Sequence, residues 1–301
     1  MMVSTPRSPG APRAAVALPR PEPAGLRQGA PARADESAGR RRVAFTLIEM
    51  LVVIGIIAAL AVTSVPAIRS LSQSNTLASG SRQVLDELAL ARQIALSERR
   101  TVYLVLIPPA ARFHHQAIYD MPNNGRRPQM LRDFTNRVTG QYTSYALFTR
   151  RTVGDQPGKS RPRYLSGGWK TLPDGMFFAT NLFIDLGKNW TNAATQALDP
   201  TNRPLPFALF PFPAADSPEL RLPYIAFDPS GRVYYEQPYR GAAPDVALTI
   251  SRGSIFYPRH ADGQLAMTEA PDVVATPRTN RTDILVNHLT GRARVLEQKI
   301  Q

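Results

Sequence analysis

Phe45-Thr46-Leu47-Ile48-Glu49 opens the run FTLIEMLVVIGIIAALAVTSVPAI (residues 45–68), and the reading of that run decides the fold. Its only charge is Glu49, and residues 50–68 carry none, close to the ~20 apolar residues a helix needs to cross a bilayer. Arg40-Arg41-Arg42 stand directly before it, which predicts that this end stays in the cytoplasm. A carboxylate just inside the apolar edge is costly, about 2.5–3.5 kcal/mol at mid-helix and less near an end. Such a group calls for a partner. A secretory signal peptide needs a small-residue cleavage site after the apolar core, for which Thr63-Ser64-Val65-Pro66-Ala67 is a poor match. Neither that reading nor a plain signal anchor accounts for Glu49.

Upstream, residues 1–42 are rich in Ala, Pro, Arg and Gly without apolar period, the composition of a disordered basic leader. The net charge is +13, and eight Arg against three acids lie in residues 1–44. The remainder is still basic, which suits DNA, anionic lipid or an acidic partner without choosing among them. The chain contains no cysteine, so disulfides, thiolate metal sites and cysteine nucleophiles are excluded.

The stretch Arg42-Val43-Ala44-Phe45-Thr46-Leu47-Ile48-Glu49 resembles the prepilin cleavage and methylation motif of type IV pilins and type II secretion pseudopilins. The resemblance implies a cut between Ala44 and Phe45 by a dedicated aspartyl prepilin peptidase on the cytoplasmic side. The same enzyme would methylate the new N-terminus, and Glu49 would become the fifth residue of the mature chain. The family commonly has Gly before the cut, and here it is Ala44. The leader is long for the family, which leaves open a start codon downstream of Met1. Pro66 stands where pilins commonly carry a helix-kinking proline. A physical argument for Glu49 stands beside the resemblance. Cleavage leaves an ammonium on Phe45, and in low dielectric that charge is better paired with a neighbouring subunit's Glu49 than isolated. The alternative reading of Glu49 is an interfacial charge at a helix end.

Downstream of the apolar run, residues 70–99 are good helix formers without Pro. Leu77, Ser81, Val84, Leu88, Ala91 and Ala95 recur at alternating spacings of four and three, one packing seam. Arg82 and Asp86 form an i,i+4 pair on the polar side. The spacing predicts one helix from 45 to 99, bent at Pro66 and loosened at Gly55. After Arg100 the pattern becomes β-rich. Strands are predicted at Thr101–Ile107, Phe113–Tyr119, Tyr142–Thr149, Met176–Phe183, Pro206–Phe210, Tyr224–Phe227, Val233–Glu236, Val246–Ser251, Ile284–His288 and Arg292–Leu296. Segments 120–140, 150–170, 185–205 and 258–281 read as loops or insertions, with no long second helix. The class is α+β: a long N-terminal helix packed on an antiparallel β-sheet domain. The expected partition is leader 1–44, membrane and assembly helix 45–69, amphipathic continuation 70–100 and globular domain 101–301.

Three weaker stretches resemble the H-type minor pseudopilins: Leu90–Ala95 with Arg99–Val102, Leu172-Pro173-Asp174-Gly175, and Ile284–Val286 with Thr290–Val295. Together the resemblances imply a minor pilin or pseudopilin without catalytic activity or cofactor. Its partners would be the prepilin peptidase, other subunits through the N-terminal helix, and an inner-membrane assembly platform. The protein would be single-pass in the inner membrane, with its globular part in the periplasm, before entering a filament. A second reading is a minor pilin of DNA uptake, in which Arg292 and Arg294 on one strand face contact neighbouring phosphates. The plainer account of that pair is a solvated edge strand. A third reading, a signal-anchored envelope enzyme, finds little support. No phosphate loop, Gly-x-Ser-x-Gly, His-Glu-x-x-His or calcium loop occurs, and adjacent His114 and His115 cannot readily chelate together from a strand. Asn189-Trp190-Thr191 fits a glycosylation sequon that carries little weight alone.

Overall fold

The computed structural model describes residues 45–122, 125–151, 161–187, 189, 192–236, 243–275 and 281–296. The leader, Ala44, and Trp190 and Thr191 of the sequon lie outside them. The chain divides after Ile56 into two compact units. The first holds the opening turns of α1 (Leu47–Glu98), whose backbone is helical through Pro66. Among the described residues no helix is long and apolar enough to cross a membrane.

The second unit is an α+β domain with two antiparallel sheets. The first contains β1 (Val102–Leu106), β2 (Ser144–Thr149), β3 (Arg163–Thr171), β5 (Phe207–Pro211), β6 (Glu219–Phe227) and β7 (Val233–Tyr234), in the order β3-β2-β1-β6-β5 with β7 on β6. The second contains β4 (Met176–Phe178), β8 (Val246–Phe256), β9 (Asp272–Ala275), β10 (Arg281–Val286) and β11 (Ala293–Leu296), in the order β11-β10-β8-β4 with β9 on β8.

Alternation along β1 shows how the layers form. Val102, Leu104 and Leu106 face one core, and Tyr103, Val105 and Ile107 face another. The first core lies under α1. The predicted seam is the buried face: Val84, Leu88, Ala91 and Ala95 are fully buried or nearly so, and pack with Leu147 and Ile225 of one sheet and Leu248, Ile250 and Ile284 of the other. The second core covers the opposite face of the first sheet. It is built by α2 (His115–Tyr119) and α3 (Arg127–Val138), through Ile118, Met130, Phe134 and Val138 packed against Phe148, Phe210 and Tyr224. A strand buried on both faces reads as an unbroken apolar run, which is why TVYLVLI shows no alternation.

The second core corrects several expectations. Residues 113–119 are not a strand. Pro108 and Pro109 end β1, and Pro109 opens a 3₁₀ turn (Pro109–His114) that leads into α2. The segment 120–140 is not a loop, because Pro128 is tolerated in the first turn of α3 and Met130, Phe134 and Val138 recur every four residues on its buried face. The segment 150–170 contains most of β3, whose Gly167 and Gly168 adopt positive φ inside an irregular pairing with β2 rather than a turn. Within 258–281, β9 pairs with an unexpected extension of β8 to Phe256, and β6 begins five residues earlier than predicted. The last strand begins at Ala293, because Arg292 closes the preceding turn. Its N–H donates to Thr290 Oγ1 (3.3 Å), and Gly291 takes φ 62°.

Candidate functional site

Thr46 caps α1. Its Oγ1 accepts from the Glu49 backbone N–H (3.2 Å), and its carbonyl accepts from the Met50 N–H (3.2 Å). Thr46-x-x-Glu49 therefore has the spacing of a capping box, in which a carboxylate at the third helical position also faces the positive end of the helix dipole. The sequence carries this signal, Thr-x-x-Glu before an apolar run, although neither the intersubunit nor the interfacial reading of Glu49 draws on it. The Glu49 side chain is exposed and makes no ion pair among the described residues.

Around it the apolar residues are exposed on every side of the helix. Leu47 is 84% exposed, Leu51 and Ile54 65%, Ile57 60% and Val62 77%. Burying such a surface against lipid or protein is favourable by ~25 cal/mol per Å², and an all-round apolar helix requires such cover. Residues 47–62 of α1 therefore have the surface of an association element with an acidic residue near its start. Phe45 stands one residue before the cap and is 70% exposed.

The second half of α1 is fixed by polar contacts that the sequence did not reveal. Gln83 Nε2 donates to Tyr145 Oη (2.9 Å) and to the Thr171 carbonyl (3.0 Å). Glu87, almost fully buried, holds Lys170 Nζ at 2.6 Å. Arg92 Nε donates to the Thr290 carbonyl (2.8 Å) and to that of Gly231 (3.3 Å), joining the turns after β10 and β6. The expected Arg82–Asp86 ion pair does not form; both residues border an open concavity with Gln83.

Arg292 lies in the turn before β11 and Arg294 on that edge strand, so the two do not share one strand face as expected; both are exposed, and neither side chain has a partner among the described residues. The histidines do not converge. His114 is buried with Nε2 3.0 Å from the Pro218 carbonyl, and burial holds its pKa below the ordinary value. His115 packs on Phe134, with ring centroids 5.9 Å apart. Among the described residues no group of three or more His, Asp or Glu is arranged to hold a metal ion.

Residues 40–65 match the family model of the prokaryotic N-terminal methylation motif. No curated protein and no solved structure matches the chain. The matched residues run from Arg40 into the capped, apolar start of α1, and the motif supports a structural subunit of the type IV pilin or pseudopilin kind.

Proposed function

We propose that this chain is a minor pilin or pseudopilin, a non-catalytic subunit of a type II secretion pseudopilus or type IV pilus. The observation that carries the reading is the methylation motif at 40–65, which falls on the Thr46-capped start of an all-round apolar helix. Prepilin peptidase removes residues 1–44 by cutting between Ala44 and Phe45, then methylates Phe45. Residues 45–69 hold the protein in the inner membrane as a single span, with Pro66 bending the helix, and later pack in the filament core. Residues 70–100 continue the helix onto the globular part, 101–301, in the periplasm. The first strand and last hairpin favour the H-type minor pseudopilin subgroup, with an inner-membrane platform as the assembly partner.

In this reading Glu49 has two tasks on one side chain. Its position in the first turn suits the helix dipole, and its exposed carboxylate is available to the methylated ammonium of a neighbouring Phe45. The Glu49→Gln variant keeps a hydrogen-bonding side chain and loses the charge. It is expected to be processed normally and to be lost from sheared filaments. Incorporation equal to wild type would remove the assembly role. The DNA-uptake alternative rests on the exposure of Arg292 and Arg294. It predicts that Arg292→Ala/Arg294→Ala weakens duplex binding, and unchanged binding removes it.

A further inference from the structure

At its C-terminal end α1 turns with Arg99 in the left-handed region (φ 49°), while the Arg100 N–H donates back to the Ala95 carbonyl (3.3 Å). Glycine is the usual residue at that position, and arginine there bears a steric cost glycine avoids. A second oddity lies across the sheet. The antiparallel register that pairs Tyr103 with Phe148 and Leu104 with Leu147, continued three residues outward, sets Arg100 opposite Arg151. Two Arg-Arg dipeptides, 99–100 and 150–151, thus meet at one end of the β1–β2 ladder, where like charges oppose one another.

Glu98, Arg99, Arg100, Tyr103, Arg150 and Arg151 line a cleft of about 410 Å³ there. Two of its four guanidiniums are already held. Arg100 is buried, paired with Glu98 and donating to the Arg151 carbonyl (3.1 Å). Arg150 donates to Glu236 Oε1 (2.8 Å) and the Leu209 carbonyl (2.9 Å), and lies 5.7 Å from the Tyr103 ring centroid. Arg99 and Arg151 are exposed and have no side-chain partner among the described residues.

We propose that this cleft binds the carboxylates of an acidic peptide segment on a partner protein, with Arg99 and Arg151 as the capturing forks. Both guanidiniums already satisfied by side chains in the cleft are satisfied by carboxylates, and the planar fork of arginine fits that group in a bidentate manner. The chain carries a net charge of +13, so electrostatic complementarity selects an acidic partner over a second copy of itself. A concave site with two free forks suits side chains that reach inward. Duplex phosphates, by contrast, need cations spread along a surface. The inference is independent of the pilin reading, since no residue of the N-terminal motif takes part.

The test uses the full chain in detergent and a fluorescein-labelled oligoglutamate peptide, read by anisotropy near physiological ionic strength. Wild type is expected to bind it and not an oligoglutamine of equal length. Arg99→Gln/Arg151→Gln is expected to bind at least about tenfold more weakly. Arg132→Gln/Arg137→Gln, which removes two other arginines on α3, is expected to stay within about twofold. A charge-reversed Arg99→Glu/Arg151→Glu chain should prefer oligolysine. Circular dichroism checks that each variant is folded. Unchanged binding by the Arg99/Arg151 variant overturns the proposal. So does equal loss in the α3 variant, which would mean unspecific attraction to a basic surface. Displacement of the peptide by lower concentrations of duplex DNA or of inorganic phosphate would also overturn it, assigning the cleft to phosphates.

Discussion

Replacing Lys170 by Met should loosen α1 from the domain it covers. Glu87 lies on the helix with its side chain only 7% exposed, and one of its two carboxylate oxygens is held by Lys170 Nζ at 2.6 Å. The other, Oε1, is buried without a hydrogen-bond partner. Lys170→Met therefore leaves a buried carboxylate with neither a countercharge nor a donor. Breaking a fully buried pair costs about 3–5 kcal/mol. The Lys170 side chain is 35% exposed, so water enters where it leaves, and a loss of about 2–3 kcal/mol is the expected magnitude here. At roughly 2–4 °C per kcal/mol for a domain of this size, the melting midpoint falls by about 4–12 °C. Far-UV circular dichroism of the full chain in detergent measures it. Glu87→Leu/Lys170→Met removes both charges and should recover to within about 1 kcal/mol of wild type, because the desolvation cost goes with the pair. A Lys170→Met midpoint unchanged within about 1 °C refutes the reasoning. So does a double variant as unstable as the single one.

Gly291→Ala should cost more than about 2 kcal/mol, since φ is 62° and a Cβ would lie 2.0 Å from the Gly231 carbonyl oxygen; chemical denaturation gives the loss. Arg99→Gly should raise stability by about 1 kcal/mol in the same assay by removing a left-handed arginine. For acid stability, Asp245 is the group to watch. Burial alone would raise its pKa, but hydrogen bonds from the His288 backbone and ring and from Asn287 outweigh burial and hold it below the ordinary value. A depressed carboxylate stabilises the fold fully above its unfolded pKa of about 3.9, and that contribution is lost as pH falls through the folded value. Asp245→Asn should therefore be less stable than wild type near neutrality and converge with it below about pH 4, as urea midpoints at several pH values would show.

The parts of the fold that were legible in the sequence have a local cause. The seam from Leu77 to Ala95 lies on one helix, and its period alone marks the buried face. The run 101–107 could be read as a strand because residues buried on both faces leave no polar gap. α3 escaped because Arg127, Gln129, Arg132, Asp133, Asn136 and Arg137 outnumber the three residues it buries. β3 escaped because Gly167-Gly168 has the composition of a turn, and only pairing with β2 makes it a strand. The same division holds for function. Thr46 and Glu49 lie three residues apart, so their capping relation is local. The contacts of Gln83, Glu87 and Arg92 join residues 62 to 198 positions apart, and the basic cleft arises only when β1 and β2 are in register. No one-dimensional pattern carries such contacts.

The most direct test of the pilin account is the N-terminal peptide of the protein taken from membranes of a host that has a prepilin peptidase, identified by intact mass and peptide sequencing. The account predicts a mature chain that begins at N-methylated Phe45. A chain that retains residues before Phe45, or one cut near Ala67, would contradict it.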